Sequence, residues 1–405
     1  QSKPDLMSFI CRQIRSSGPI SVSDYMKLAL HHPIYGYYKN SDVIGPDGDF
    51  ITSPEICQIF GELLGIWIVN ERLRFATQTP FDIVEFGPGR GTLLSNILRA
   101  ISKFPKVASE FQKLHLVERS DRLRAVQQST LGPLLDALKL SPAIHWHSSL
   151  DEIPRGQCSY YLAHEFFDAL PIHRFQKVNG KWHEVFVDVM DAHSESSTHG
   201  TAEQLIFRAS QPPTLTMSVY LQLAGDLENR NCVEVCPEAG AILQKIAQRV
   251  ADDGGAALVV DYGHVGESGD TLRAFKNHEL HDPLKDPGQA DITADVDFAF
   301  LRRSVEATNT PVVVHGPVTQ AYFLVHMGFM ARLKVLVHKC HLEEDKKNLI
   351  ASSEMLLGSD KMGKRFKFMA ILPRSDSVDQ SYVPAGFFPT WPSASTIQPS
   401  SASKT

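Results

Sequence analysis

The chain has 405 residues, 43% apolar and 21% charged, which is ordinary for a globular protein with a sizeable core. A formal net charge of -6 argues against a general nucleic-acid binder, and no apolar run is long enough for stable insertion across a bilayer as a helix. The six cysteines (Cys11, Cys57, Cys158, Cys232, Cys236, Cys340) form no C-x-x-C pair and no disulfide-framework spacing, which favours a reducing compartment.

From the start, residues 5 to 15 read as an amphipathic helix with Leu6, Phe9, Ile10 and Ile14 on one face. Gly18-Pro19 ends it, and Ser21 opens a second helix. His31-His32 stands in an aromatic turn with no partner ligand at zinc spacing, so packing is the better reading. Residues 45 to 52 form a loop rich in Gly and Asp. Ser53-Pro54-Glu55 then reads as an N-cap, a proline at N1 and a first-turn acid, opening a helix through Ile59, Phe60, Leu63 and Ile66.

The chemistry starts at Phe81-Asp-Ile-Val-Glu-Phe-Gly-Pro-Gly-Arg-Gly-Thr-Leu-Leu94. Ile83, Val84 and Phe86 predict a buried parallel strand. Gly87, Gly89 and Gly91 make a tight turn that lets a ligand approach the backbone. Thr92 is the expected N-cap of a helix with Leu93, Leu94, Ile97 and Leu98 on one face. Strand, glycine turn and helix form the nucleotide-binding corner of a doubly wound, Rossmann-like α/β sheet. The spacing is G-x-G-x-G rather than the G-x-G-x-x-G of a dinucleotide site, and Glu85 precedes the first glycine by two residues. A carboxylate there repels a diphosphate and attracts a cation. S-adenosylmethionine carries an ammonium and a sulfonium and needs no phosphate cradle. Glu118 ends the next strand-like run, Leu114-His115-Leu116-Val117, where an acid can accept hydrogen bonds from both ribose hydroxyls.

Further along, residues 120 to 138 read as a helix and Ala143 to Trp146 as a third strand. Ser149 and Leu150 follow it and are candidate adenine contacts. Ser159 to Ala163 is a fourth strand that delivers His164-Glu165-Phe166-Phe167-Asp168 to the same edge. Residues 172 to 236 alternate short strands with turns around a polar stretch at 191 to 204, a β-rich elaboration of the main domain. Pro237 to Val250 is helical, and Ala256 to Val260 is a buried strand ending in Asp261-Tyr262-Gly263-His264. Residues 265 to 298 show little periodicity but many chemically distinctive side chains, as a functional loop would. Val312 to Val318 and Lys367 to Leu372 are late strands. The Ser/Pro-rich stretch beyond Pro373 reads as an unstructured tail.

Glu85-Phe-Gly-Pro-Gly-Arg-Gly-Thr-Leu93 resembles the first motif of class I S-adenosylmethionine-dependent methyltransferases. More narrowly, the chain resembles the MidA family. Matching stretches are Gly48-Asp-Phe-Ile-Thr-Ser-Pro-Glu55, His164-Glu-Phe-Phe-Asp-Ala-Leu-Pro171, Val260-Asp-Tyr-Gly263, and Asp282-Pro-Leu284 through Pro287-Gly288 to Asp291-Ile-Thr-Ala-Asp-Val-Asp-Phe298. The mitochondrial members are protein arginine methyltransferases needed for assembly of respiratory complex I. The resemblance therefore implies S-adenosylmethionine as cofactor, a core matrix-arm subunit of complex I as protein partner, and the mitochondrial matrix as location. No targeting peptide is visible in this stretch, which starts at Gln1 as a processed or trimmed chain would. Where Asp295 stands, family members often carry His, so the resemblance gives that position no catalytic role.

The expected organisation is an N-terminal helical extension with a lid loop over 1–75, and a methyltransferase domain over 76–373 with insertions at about 179–236 and 265–310. The tail occupies 374–405. Cofactor contacts are expected from Glu85, Gly87, Gly89, Gly91, Thr92, Glu118, Ser149, Leu150 and Glu165, with no metal. For an always-cationic guanidinium, Glu165 and Asp168 are the candidate grip, and Tyr262 is the candidate that positions the target nitrogen. Phe166 is a candidate wall of the pocket, and His264 a candidate proton relay. A non-catalytic cofactor-binding assembly chaperone fits the same residues. An NAD-dependent oxidoreductase fits the fold but not Glu85 or the glycine spacing. Spacing alone does not separate arginine from lysine, histidine or a small-molecule acceptor, and it leaves the oligomeric state open.

Overall fold

The computed structural model describes residues 5–40, 52–74, 79–190, 203–211, 213–374 and 382–388. Asp49, Phe50 and Ile51 of the expected lid, and most of the polar stretch 191–204, lie outside them. Among the described residues the central sheet has eight strands, seven of them in its main path: β1 Phe81–Phe86, β2 Phe111–Val117, β3 Ala143–His147, β4 Cys158–His164, β5 Gly255–His264, β6 Val312–Thr319 and β7 Phe366–Pro373, while the short Val296–Asp297 pairs with the end of β5. Their spatial order is β6-β7-β5-β4-β1-β2-β3. The run from β5 to β3 is parallel, and β7 is antiparallel to both neighbours. The strand order reverses between β1 and β4, which places a ligand crevice outside the carboxyl ends of those strands.

Both faces of β1 and β5 are covered, so every residue in them is buried and their sequences are mostly apolar. On one face Phe81 and Ile83 meet Trp67 of α3 (Gln58–Arg74), Ile97 of α4 (Thr92–Ile101) and Leu131 of α5 (Asp121–Leu138). On the other, Val84 and Phe86 meet Leu243 of α6 (Pro237–Asp253) and Phe300 of α7 (Phe298–Glu306). Ile97 and Leu243 are fully buried; each contributes about 1.5–3 kcal/mol of burial free energy. Helix α3, which the sequence groups with the extension, thus belongs to the central core.

A second, antiparallel sheet runs Ile20–Ser21, Lys181–Val189, His173–Val178, Cys232–Val235, with Leu205–Ala209 beside Lys181–Val189. Two N-terminal helices, α1 (Leu6–Ser17) and α2 (Val22–His31), pack here rather than on the central sheet. Each is capped by its own side chain: the Asp5 carboxylate accepts from the Ser8 N–H at 2.8 Å, and Ser21 Oγ accepts from the Asp24 N–H at 3.0 Å.

Five expectations change. The cap before α3 is Thr52, not Ser53, in a reciprocal capping box with Glu55. The helix it opens is one turn, Ser53–Ile56, interrupted where Cys57 turns extended (φ -153). At α4 the N-cap is Gly91 in the left-handed region (φ 84), which makes Thr92 the first helical residue. Residues 265 to 298, aperiodic in sequence, hold a three-stranded sheet of Arg273–Lys276, Glu279–His281 and Asp291–Thr293. Its tight turn places Asn277 and His278 at φ 53 and 64, a hairpin geometry usually announced by glycine. Within the expected tail, Phe387 is buried against Phe323 at 5.5 Å between ring centroids, and the Tyr382 hydroxyl donates to Glu71 at 2.7 Å. Those apolar residues find a core, whereas composition registered only Ser and Pro.

Candidate active site

At the tip of β1, Glu85 is 2% exposed, and burial raises its carboxyl to about 8. One of its oxygens, Oε2, is buried without a hydrogen-bond partner. An unmet carboxylate oxygen this deep costs free energy unless a donor or a cation arrives. The glycine turn follows, with φ of 60 at Gly87, 53 at Gly89 and 84 at Gly91. The Gly87 N–H donates to Val117 O at 3.1 Å, which ties the turn to the end of β2. A Cβ on Gly87 would stand 3.3 Å from Phe166 Cδ2.

Glu118 lies beside this turn. Its Oε1 accepts from the Ser120 N–H at 2.8 Å, and its Oε2 accepts from Gln127 Nε2 at 3.3 Å. Burial raises its carboxyl, while those donors and Arg124 oppose the rise. Gln127, on α5, escaped the sequence reading although it staples the corner together. Its amide also donates to Gly89 O at 2.8 Å and accepts from Trp146 Nε1 at 2.8 Å. After β3, Ser149 precedes a 3-10 turn, Leu150–Glu152. The Leu150 side chain is buried with Ile153 and Tyr161, and its carbonyl accepts from Arg249 at 2.9 Å.

The loop after β4 closes the other side. Phe166 lies 5.2 Å from Phe86 between ring centroids. Glu165 has φ 48, a left-handed conformation costly for a side chain of this kind. Its Oε1 accepts from the Ser53 N–H at 3.5 Å and lies 3.3 Å from His164 Nε2. Burial first, then repulsion from Asp168, Glu55 and Asp291, raises Glu165 to about 8. His164 is driven down to about 3 by burial and is therefore neutral. Asp168, 7% exposed, has Oδ2 held by the hydroxyls of Tyr262 and Thr293, the latter at 2.7 Å. Its Oδ1 has no partner. Tyr262 thus spends its hydroxyl on Asp168, and the guanidiniums of Arg273 and Arg365 lie 5.0 and 5.5 Å from its ring centroid.

Asp261, fully buried, organises the loop. Its Oδ2 accepts the N–H groups of Phe166, Phe167 and Asp168 at 3.2, 3.1 and 3.4 Å, and Oδ1 accepts its own chain's Tyr262 N–H at 3.0 Å. His264, a candidate relay, has Nδ1 occupied by the Gly266 N–H at 3.0 Å. The sequence placed Asp261 at the correct edge but carried no sign of this bracing. Thr293 was missed because its strand was missed.

The edge therefore presents an orphaned acid (Glu85), a backbone turn open to close approach, and a second acid (Glu118) one strand away. Such a cradle fits a cofactor with cationic groups and a ribose, and disfavours a pyrophosphate.

Comparison with known proteins agrees. Residues 63–318 match a family described as "Putative S-adenosyl-L-methionine-dependent methyltransferase". The chain is 44% identical over 385 residues to a Danio rerio protein named "Protein arginine methyltransferase NDUFAF7, mitochondrial", spanning 91% of this chain and 86% of that one. It is 44% identical over 375 residues to "Protein arginine methyltransferase NDUFAF7 homolog, mitochondrial" of Drosophila melanogaster, spanning 89% and 83%. Its fold matches that of a COG1565 superfamily member from Burkholderia thailandensis, solved with S-adenosyl-homocysteine, at a TM-score of 0.74 and 24% identity over 91% of each chain. The chain belongs to this family of S-adenosyl-L-methionine-dependent methyltransferases.

Proposed function

We propose that this chain methylates a guanidinium nitrogen of an arginine in a protein acceptor, a core matrix-arm subunit of respiratory complex I in the mitochondrial matrix, and so serves assembly of that complex. The observation that carries the reading is the carboxylate pair Glu165 and Asp168 beside the glycine turn, one of them with a buried oxygen lacking a donor. The names of the relatives, protein arginine methyltransferases of mitochondria, point the same way.

When bound, S-adenosylmethionine supplies an electrophilic methyl group whose transfer needs no metal. The chain's own residues supply alignment and a proton acceptor. Glu85 and Glu118 hold cationic and hydroxyl groups at the tips of β1 and β2, the glycines and Thr92 line the turn, and Ser149 flanks the far side. Glu165 faces the acceptor. An incoming guanidinium, cationic at any neutral pH, favours the ionised form of this buried acid and pairs with it through charge-assisted hydrogen bonds. As the nitrogen gains a methyl group it becomes acidic, and Glu165 is placed to take the proton. Asp168 is fixed by Tyr262 and Thr293, so that Oδ1 can accept a second N–H. Tyr262 is accordingly a positioning residue.

Truncating Glu118 to Ala removes charged hydrogen bonds to the cofactor and should weaken its binding by roughly 1.5–3 kcal/mol in calorimetry. The acceptor assignment is tested by incubating the protein with isotopically labelled S-adenosylmethionine and purified matrix-arm subunits, followed by peptide mass spectrometry. Label on arginine is expected. Label on lysine or histidine overturns the arginine reading, and tight cofactor binding with no label anywhere makes the chain a non-catalytic assembly chaperone.

A further inference from the structure

Four of the seven residues from 361 to 367 are basic (Lys361, Lys364, Arg365 and Lys367), in a chain whose net charge is -6. They belong to the one-turn helix Met362–Arg365 and its flanks, directly ahead of β7. Phe366 is the register partner of Tyr262, so this turn stands at the carboxyl end of β5, beside the acceptor side of the crevice. We propose that Arg365, with Lys364 next to it, docks an aspartate or glutamate side chain of the acceptor segment, a few residues away from the arginine that is methylated. The proposal rests on the reading of a protein acceptor above and names the class of segment that the site takes.

The first support is placement. The Arg365 guanidinium lies 5.5 Å from the centroid of the Tyr262 ring, whose hydroxyl holds Asp168. The Phe366 ring packs edge-on against the same ring at 5.4 Å. One side chain therefore separates the basic turn from the carboxylate that the target guanidinium meets. A single extended segment reaches both with side chains a few residues apart.

The second is unspent donor capacity. The Arg365 side chain is 51% exposed, and among the described residues it makes no hydrogen bond. The carboxylate that it pairs with among those residues is Asp295, at 3.7 Å, and that acid lies closer to Arg273, at 2.7 Å. Lys364, also exposed, forms no ion pair among them. Glu267, another acid close to the turn, faces Lys367, and its Oε2 accepts from the Val265 N–H at 2.6 Å. A guanidinium carries five N–H donors in a fork that matches a carboxylate, so Arg365 has room for an acid that arrives with a ligand.

The third is rigidity. Lys367 Nζ donates to the carbonyls of Lys364 and Arg365 at 2.5 and 3.2 Å. The Gly363 N–H donates to Gly358 O at 3.0 Å, and a Cβ on Gly363 would stand 2.2 Å from Leu357 O. The turn is fixed from both sides, so presenting the guanidinium costs little backbone ordering.

The test uses synthetic peptides with one central arginine in a Gly/Ala background, each carrying one glutamate, or one glutamine of the same shape, within four residues of it. With wild-type protein and S-adenosylmethionine, glutamate at one position should lower KM about fivefold relative to glutamine, the upper end for a half-exposed ion pair. That gap should shrink in about 1 M salt. Arg365→Gln should bring the KM ratio to about one, and Lys364→Gln should reduce it in part. Arg365→Glu should reverse it, so that lysine at that position is preferred. Because the ratio is internal to each variant, a partial loss of folded protein cancels. Equal KM values at every position in the wild type, or a ratio that survives Arg365→Gln, overturns the docking point. If no peptide is methylated, fluorescence anisotropy of the same peptides, labelled, decides. Tighter, Arg365-dependent binding of a glutamate peptide sustains the docking point without the methylation reading; equal binding removes it.

Discussion

Replacing Gly87 by valine should abolish S-adenosylmethionine binding, raising Kd by about 1000-fold or more, which is about 4.2 kcal/mol. Gly87 sits at φ 60, where a β-branched residue pays about 1–3 kcal/mol in backbone strain alone. The turn cannot easily relax toward negative φ, because its N–H is bonded to Val117 O at 3.1 Å beside Glu118. A Cβ would also stand 3.3 Å from Phe166, and the branched γ carbons extend beyond it into the space where the cofactor approaches the backbone. Displacing Phe166 disturbs Glu165, its chain neighbour, so the substitution acts on both sides of the crevice. Gly87 itself is solvent-exposed, so the core does not lose packing and the far-ultraviolet circular dichroism spectrum should be preserved. Gly87→Ala should show a smaller loss, because it has strain without the γ carbons. An unchanged affinity for Gly87→Val in isothermal titration calorimetry would remove this turn from the cofactor site.

The cofactor side of this site was legible in the sequence because its signals are local. A buried parallel strand is a continuous apolar run, a turn with positive φ carries glycines, and the acids stand within two residues of strand ends. The acceptor side was legible only in part. Glu165 and Asp168 could be read as acids at a strand end, but the residues that define their roles come from far along the chain. Tyr262 reaches Asp168 across 94 positions, and Thr293 across 125. The small sheet carrying Thr293 and Asp291 hides because its hairpin turns at Asn277 and His278, which adopt left-handed conformations without a glycine to announce them. The helix starts were misplaced by one residue for a related reason. Thr52 and Ser53 are both good caps, and the bond from Glu55 back to the Thr52 N–H decides between them. Gln127 carries no motif at all. Its importance lies in reaching Gly89, Glu118 and Trp146 at once, a fact of packing rather than of pattern.

Glu165→Gln should leave S-adenosylmethionine binding nearly intact and reduce methyl transfer by about 10²–10⁴-fold, the usual contribution of a general base. Glutamine preserves shape and can still accept from the Ser53 N–H, but it cannot pair with a guanidinium by charge or take its proton. The wild-type pH profile carries the same signature. In the free protein Glu165 is raised from 4.5 to about 8, by burial and then by its acidic neighbours. Since kcat/KM reports the free enzyme, it should climb through about pH 8 to a plateau as the carboxylate forms. Stability runs the opposite way. An acid whose folded pKa lies above its unfolded one binds more protons when folded, so the stability associated with its protonated form is fully present below about 4.5 and is lost as pH rises through about 8. Glu85, also raised to about 8, adds to the same slope. Glu165→Gln cannot ionise, so its melting temperature should fall less steeply than the wild type's between pH 5 and 8, and the gap between the two should shift in the variant's favour as pH increases. A variant that keeps full transfer activity and the wild-type pH profile would assign the proton acceptor to another residue, with Asp168 the next to test.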